Sequence, residues 1–254
     1  MGVWLLSTSE AIVRFEYPSA KSFGTILDVL GNIVDEVLFN FTPEGLLIKA
    51  LDPAKVALII INIPSTAFLD YKVERELGVG VNLSSLVKSL PTMKKTDKLV
   101  FTANEEFYEL VIEGITTKRY KFRSIEVSAE EVPEISLDFK VKAIVLATAF
   151  KSAIKDLKGV ESIVFEAKDD QYLYLRGAEG GAEARLSRMA GSIIEMEVQE
   201  PSRNTYDEDY ITKVLDLAGI TENIEIKFGN EMPLNLYFTL VGGGSAEYLL
   251  APKA

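Results

Sequence analysis

The 254-residue sequence predicts an α+β protein of two similar domains, each a set of antiparallel strands backed by two helices. Three observations predict it. The chain repeats itself once at a spacing of about 125 residues. Short amphipathic helix patterns recur at matched places in the two halves. Between them lie short apolar or alternating runs bounded by turn residues, as strands require.

The repeat is clearest late in each half. Leu83–Leu90 has the apolar spacing of a short helix, and a shift of about 125 brings it onto Glu208–Leu215, with Lys88 falling on Lys213. The next segments follow: Thr96–Phe101 meets Thr221–Ile226, both a turn and then a strand. Earlier, with a slightly larger shift, Ser22–Leu30 resembles Ala149–Leu157. Each then runs through an acidic residue into a strand, at Glu36–Phe39 and Glu161–Phe165. Strands are expected near 37–41, 46–50, 56–63, 99–102 and 109–113, with turns at Pro43-Glu44-Gly45 and Asn104-Glu105-Glu106. In the second half Ile224, Ile226 and Phe228 alternate, which buries one strand face. Asp169-Asp170 and Gly242-Gly243-Gly244 mark turns there. Between the halves, 124–135 is acidic, carries Pro133 and fits neither helix nor strand, so it reads as an ordered connector. The expected organisation is an extension at 1–11, a domain at 12–123, the connector at 124–135 and a second domain at 136–254.

Composition narrows the chemistry. Hydrophobic residues make up 48% and charged residues 26%, a globular balance. No apolar run reaches the length of a membrane span, and Met1–Leu6 has no basic region or cleavage pattern of a secretory leader. Cysteine and histidine are absent. This excludes disulfides, thiol nucleophiles, Cys/His zinc sites and Ser-His-Asp triads. The net charge of -11 argues by itself against binding a polyanion. A total, however, says nothing of where the cations sit.

The helices hold the lysines. Near 147–158, Phe150, Ala153, Ile154 and Leu157 share one face, while Lys151, Lys155 and Lys158 form a separate stripe at i, i+4, i+7. Lys88 lies away from the Leu83/Leu86/Val87/Leu90 face, and Lys213 stands similarly to Ile211, Val214 and Ala218. On any single helix such lysines are usually just a solvated face. Their recurrence at matched positions in both halves favours a shared cationic surface, with the acids elsewhere, that would hold a duplex by sequence-independent phosphate contacts. No aromatic set accompanies them, so single-strand stacking is not expected.

At these residues the chain resembles a known family. Gly78–Leu90 is similar to the segment leading into the second helix of eukaryotic and archaeal sliding clamps, the proliferating cell nuclear antigen family. Leu51–Leu58 resembles a second hallmark of that family, and Tyr248–Lys253 its usual Leu-Ala-Pro-Lys ending. The resemblance runs from Ile12 to Ala254. The connector and the Gly242–Gly244 segment are most like archaeal, in particular crenarchaeal, members.

The resemblance implies a DNA clamp fold whose subunits close three to a ring around double-stranded DNA, as a homotrimer or with paralogous subunits. It implies a non-catalytic processivity factor in replication and DNA repair, without cofactor, metal or membrane, cytoplasmic and associated with the nucleoid. Its implied partners are a clamp loader, DNA polymerase, flap endonuclease and DNA ligase, recruited through short peptide motifs. The DNA-facing residues would be Lys21, Lys88, Lys94, Lys151, Lys155, Lys158 and Lys213. The peptide pocket, between the domains and roofed by the connector, would be Leu51, Lys55, Val56, Val127, Val132, Pro133, Pro233, Leu249, Ala251 and Pro252. The subunit interface would pair a strand carrying Thr116, Lys118 and Tyr120 with a neighbour's strand carrying Ala182, Ala184 and Leu186.

The chain departs from its relatives in the first helix, where Gly24, Asp28 and Gly31 stand at positions where many relatives have lysine. Its grip on DNA is expected to be weak there. Pro91 should end the second helix early and leave Lys94 and Lys95 in a loop. Two other functions compete with the clamp: a β-rich peptide-binding scaffold without a DNA role, and a magnesium nuclease using Glu105-Glu106, Asp169-Asp170 or Asp207-Glu208-Asp209. Those acids sit at turns and helix starts, where carboxylates serve local roles.

Overall fold

A computed structural model describes residues 11–128 and 137–253. In chain order the first half runs β1 (Val13–Tyr17), α1 (Ala20–Gly31), β2 (Glu36–Thr42), β3 (Gly45–Leu51), β4 (Ala57–Pro64), β5 (Asp70–Val73), β6 (Leu77–Asn82), α2 (Leu83–Ser89), β7 (Lys98–Ala103), β8 (Phe107–Glu113) and β9 (Thr117–Arg123). The second half runs β10 (Val141–Leu146), α3 (Ala147–Asp156), β11 (Ser162–Ala167), β12 (Tyr172–Gly177), β13 (Glu183–Ser187), β14 (Ile193–Val198), β15 (Ser202–Asp207), α4 (Glu208–Val214), β16 (Asn223–Phe228), β17 (Leu234–Thr239) and β18 (Ser245–Leu250). The repeat is therefore complete among the described residues: helices follow the first and sixth strands of each half.

The sheets repeat as well. One sheet of the first half has the order β5-β1-β7-β8-β9, and its counterpart in the second is β14-β10-β16-β17-β18. The run β6-β2-β3 matches β15-β11-β12. The registered pairs are antiparallel, for instance Val13↔Ala103 and Val141↔Phe228.

Each helix buries an apolar stripe. Phe23 of α1 packs on Phe15 and Tyr17, with ring centroids 5.6 and 5.4 Å apart. Phe150 of α3, its partner in the repeat, lies 6.5 Å from Phe165. Three helix starts are capped by side chains: Ser22 N–H donates to Ser19 Oγ (3.2 Å), Ser85 N–H to Asn82 Oδ1 (2.8 Å), and Asp209 N–H to Asp207 Oδ1 (3.0 Å). α2 stops at Ser89, and Leu90, preceding Pro91, turns to extended backbone at ψ 135°. β1, β5, β6, β10, β12, β14, β15 and β17 were given no place in the sequence; β5, Asp70-Tyr71-Lys72-Val73, has little apolar pattern and becomes a strand by pairing with β1.

The described residues form two compact units, divided differently from the chain halves at two places. Leu51–Ile59 belongs with the second unit and Val241–Gly244 with the first. The first exchange follows from hydrogen bonds that tie the loop to the second unit: Ala251 N–H donates to the Val56 carbonyl at 2.8 Å. The second follows from close packing. Gly242 has φ 76°, and a Cβ there would lie 2.6 Å from Ala67 Cα.

The connector's described start runs beside β6. Ile125 N–H donates to the Gly80 carbonyl (3.1 Å), and Gly80 N–H to Ser124 Oγ (3.2 Å). A Cβ on Gly80 would sit 1.9 Å from the Ile125 carbonyl oxygen. Gly80→Ala should therefore push the connector off β6 and destabilise the chain by about 2 kcal/mol, the scale of an overpacked site. A thermal melt about 5 °C below the native chain checks this.

Candidate functional site

In the first unit α1 and α2 lie against each other: a Cβ on Gly31 would be 3.5 Å from Val87 Cγ2 and 3.9 Å from Leu83 Cβ. Lys21 and Lys88 are exposed, and Lys94, past the end of α2, is exposed too. Gly24 of α1 lies beside the side chain of Met93. Met93 reaches back so far that a Cβ at Gly24 would meet its Cε at 2.4 Å.

In the second unit α3 packs against the short helical turn Leu215–Gly219 that continues α4. Lys155 and Lys158 are exposed. Lys151 is held: its Nζ bonds Asp216 Oδ1 at 2.9 Å, and its side chain is only 24% exposed. The expectation that the acids lie wholly elsewhere does not hold at this point, because Asp216 shares the surface with Lys151. Lys213 places its ammonium 4.1 Å over the Tyr210 ring, a cation–π contact.

The loop between β3 and β4 carries Lys55 and Val56, with Leu51 at its start. It is organised by one carboxylate. Asp52, 2% exposed, accepts N–H bonds from Ala54 (3.0 Å), Val56 (2.7 Å) and Ala57 (2.7 Å), and a bond from the Tyr210 hydroxyl (2.9 Å). Burial opposes its charge, but the donors Ala57, Tyr210, Val56 and Ala54 outweigh it and hold the carboxyl below its ordinary value of 3.8. In turn Asp52 raises the Tyr210 phenol. Beside the loop Leu249 stands opposite Asn235 in the β17–β18 pair, with Pro233 just ahead of β17 and Ala251 bonded to Val56. Leu51, Val56, Pro233, Leu249, Ala251 and Pro252 are all half-exposed and Lys55 is exposed, so none is simply core. Val127 belongs to the first unit, beside Gly80. Val132 and Pro133 lie outside the described residues.

The two expected interface strands are both sheet edges: β9 ends the five-stranded sheet and β13 the four-stranded one. Thr116 precedes β9. Lys118 and Tyr120 lie within it, opposite Ile112 and Leu110. Ala182 precedes β13 and accepts the Gly177 N–H (3.0 Å), and Ala184 pairs with Leu175. Leu186 is 4% exposed and opposite Leu173, so its side chain serves its own unit's core. Sequence reasoning missed the alternate residues of β9. Lys121 and Arg123 stand 4.5 and 5.7 Å from the Phe107 ring, and Arg119 pairs with Glu109 at 3.9 Å. The alternation in KRYKFR was the signal that could have found them. Also missed were Ile115 and Met189, 94% and 90% exposed in the turns beside β9 and β13.

The acid clusters weighed for a metal have local partners. Asp207 caps α4, and buried Glu208 accepts the Thr212 hydroxyl at 2.7 Å. Asp169 accepts the Gln171 N–H at 2.9 Å, Asp170 pairs with Arg188, and Glu105 pairs with Arg75.

Comparison with known proteins adds a second line. The model of the proliferating cell nuclear antigen N-terminal domain matches residues 13–139, and that of its C-terminal domain residues 131–253. A protein named DNA polymerase sliding clamp from Thermofilum pendens is 34% identical over 245 residues, covering 95% of this chain and 99% of that one. DNA polymerase sliding clamp 1 of Aeropyrum pernix is 37% identical over 247 residues, covering 94% and 99%. Among solved structures, a chain of the PCNA2-PCNA3 complex from Sulfolobus tokodaii superposes with a TM-score of 0.89 at 31% identity, covering 94% of this chain and 99% of that one.

Asp52 makes the loop's contribution to stability pH-dependent. Because its folded pKa is depressed, that contribution is complete above the unfolded value near 4 and is lost as pH falls through the lower folded value. Asp52→Asn should melt below the native chain at pH 7, with the gap closing below about pH 4. Parallel thermal melts over that range check it.

Proposed function

Because the chain belongs to the proliferating cell nuclear antigen family, we propose that it is one subunit of a DNA polymerase sliding clamp, a processivity factor that encircles duplex DNA and carries out no catalysis of its own. The observation that carries the reading is the pair of open edges. β9 is the ninth strand of the first half and β13 the fourth strand of the second, so the two are not equivalents in the repeat. Joining β9 of one copy to β13 of the next is a heterologous contact, the kind that closes into a ring by rotation. Charged residues on both edges suit strands that must avoid unspecific pairing until the right partner arrives.

Within this reading Lys21, Lys88, Lys94, Lys155, Lys158, Lys151 and Lys213 face the duplex, bind phosphates without reading sequence, and let the ring slide. Asp216 restrains Lys151, so the exposed Lys155 and Lys158 contribute more. The domains of the clamp are 12–123 and 136–254, joined by the connector 124–135. Short peptide motifs of a clamp loader, DNA polymerase, flap endonuclease and DNA ligase dock at Leu51, Lys55, Val56, Val127, Val132, Pro133, Pro233, Leu249, Ala251 and Pro252. The ring is a homotrimer or is completed by paralogous subunits. Among the described residues no helix is long and apolar enough to cross a membrane. On this reading the clamp works where the DNA is, at the nucleoid in the cytoplasm.

Native mass tests closure. The expected value is three times the 28.1 kDa chain, alone or with paralogues; a lone subunit under both conditions overturns the ring. Charge reversal tests the DNA surface. Lys88→Glu with Lys155→Glu should weaken duplex retention and lower the slope of log affinity on log salt by roughly 0.9 for each phosphate no longer neutralised. Unchanged retention and slope would favour a peptide-binding scaffold without a DNA role.

A further inference from the structure

We infer that Tyr210 is a positioning residue for partner recognition: from α4 it holds Asp52, and through Asp52 it sets the shape of the loop that presents Lys55 and Val56. The inference rests on the reading of that loop as part of the partner-peptide site. The Asp52 carboxylate is buried and accepts four hydrogen bonds. Three come from the loop itself, at Ala54, Val56 and Ala57, and the fourth arrives from Tyr210, 158 positions away in the chain.

The loop needs this support. Lys55 has φ 59°, the left-handed region that a side-chain-bearing residue holds only when its surroundings demand it. Lys55 N–H donates to the Asp52 carbonyl (2.8 Å) while the Asp52 side chain fixes the residues on either side. Loss of the carboxylate's geometry would let Lys55 relax and turn Val56 away.

Tyr210 reaches the other wall of the site as well. Its backbone carbonyl accepts the Tyr248 hydroxyl at 2.9 Å, next to Leu249, and Val56 accepts the Ala251 N–H. One residue thus ties together the loop and the C-terminal strand, the two apolar surfaces a peptide would lie between. Its phenol ring meanwhile lies under Lys213, a contact that does not use the hydroxyl. The hydroxyl and the ring therefore have separable tasks, and Tyr210→Phe removes only the first.

The test is fluorescence anisotropy of a labelled synthetic peptide, with a helical turn of aliphatic and aromatic side chains, on the full chain. Tyr210→Phe should bind it about tenfold more weakly, the scale of one hydrogen bond to a charged group. Asp52→Asn should weaken binding at least as much. The double variant should bind no worse than Asp52→Asn alone, because both act on one element. Duplex retention of Tyr210→Phe should stay within about twofold of native, since the ring under Lys213 remains. Native-like peptide binding by Tyr210→Phe overturns the inference, as do additive effects in the double variant. A parallel fall of peptide binding, duplex retention and melting temperature also overturns it, by marking a merely structural role. A native chain that fails to bind the peptide at all overturns the underlying reading of the site, a different and separately visible outcome.

Discussion

The rest of this molecule depends on how each helix is forced to choose a face. Phe23 and Phe150 occupy equivalent places in the repeat, and each drives one side of its helix into an aromatic cluster. Burying such a ring is worth about 2–3 kcal/mol, whereas a lysine turned to solvent costs almost nothing. The apolar packing therefore decides where the cations go. On α3 this leaves Lys155 and Lys158 exposed, while Lys151 shares its surface with Asp216.

Two consequences follow from the same packing. With the helices packed against the sheets, the sheet edges and the loops stay open as well. β9 and β13 remain as edges with charged side chains, a state that suits regulated pairing. The loop after β3 cannot rely on packing, since its apolar residues stay half-exposed. It relies instead on a buried carboxylate whose donors come partly from α4. The loop is thereby held in one shape while its apolar residues stay half-exposed.

Two glycines stand where a neighbour comes close. A Cβ on Gly24 would meet the end of the Met93 side chain, which follows the close of α2. Gly80 leaves room for the connector's backbone. In both cases the glycine serves a neighbour's approach rather than its own backbone freedom.

By itself the sequence determined the repeat, the helices, about half of the strands and the family, because periodicity and turn chemistry act within a few residues and are written in chain order. It also marked Lys55, Val56, Leu249 and Ala251 through the motifs that contain them. It did not reveal β5, whose only support is its pairing with β1, or the side chain of Leu186 turning into the core. Nor did it reveal the ion pair of Lys151 with Asp216, or the bond from Tyr210 to Asp52. Those interactions join residues 65 and 158 positions apart. Only tertiary structure decides them, because whether a donor meets a buried carboxylate depends on the path of the intervening backbone, which no local pattern encodes.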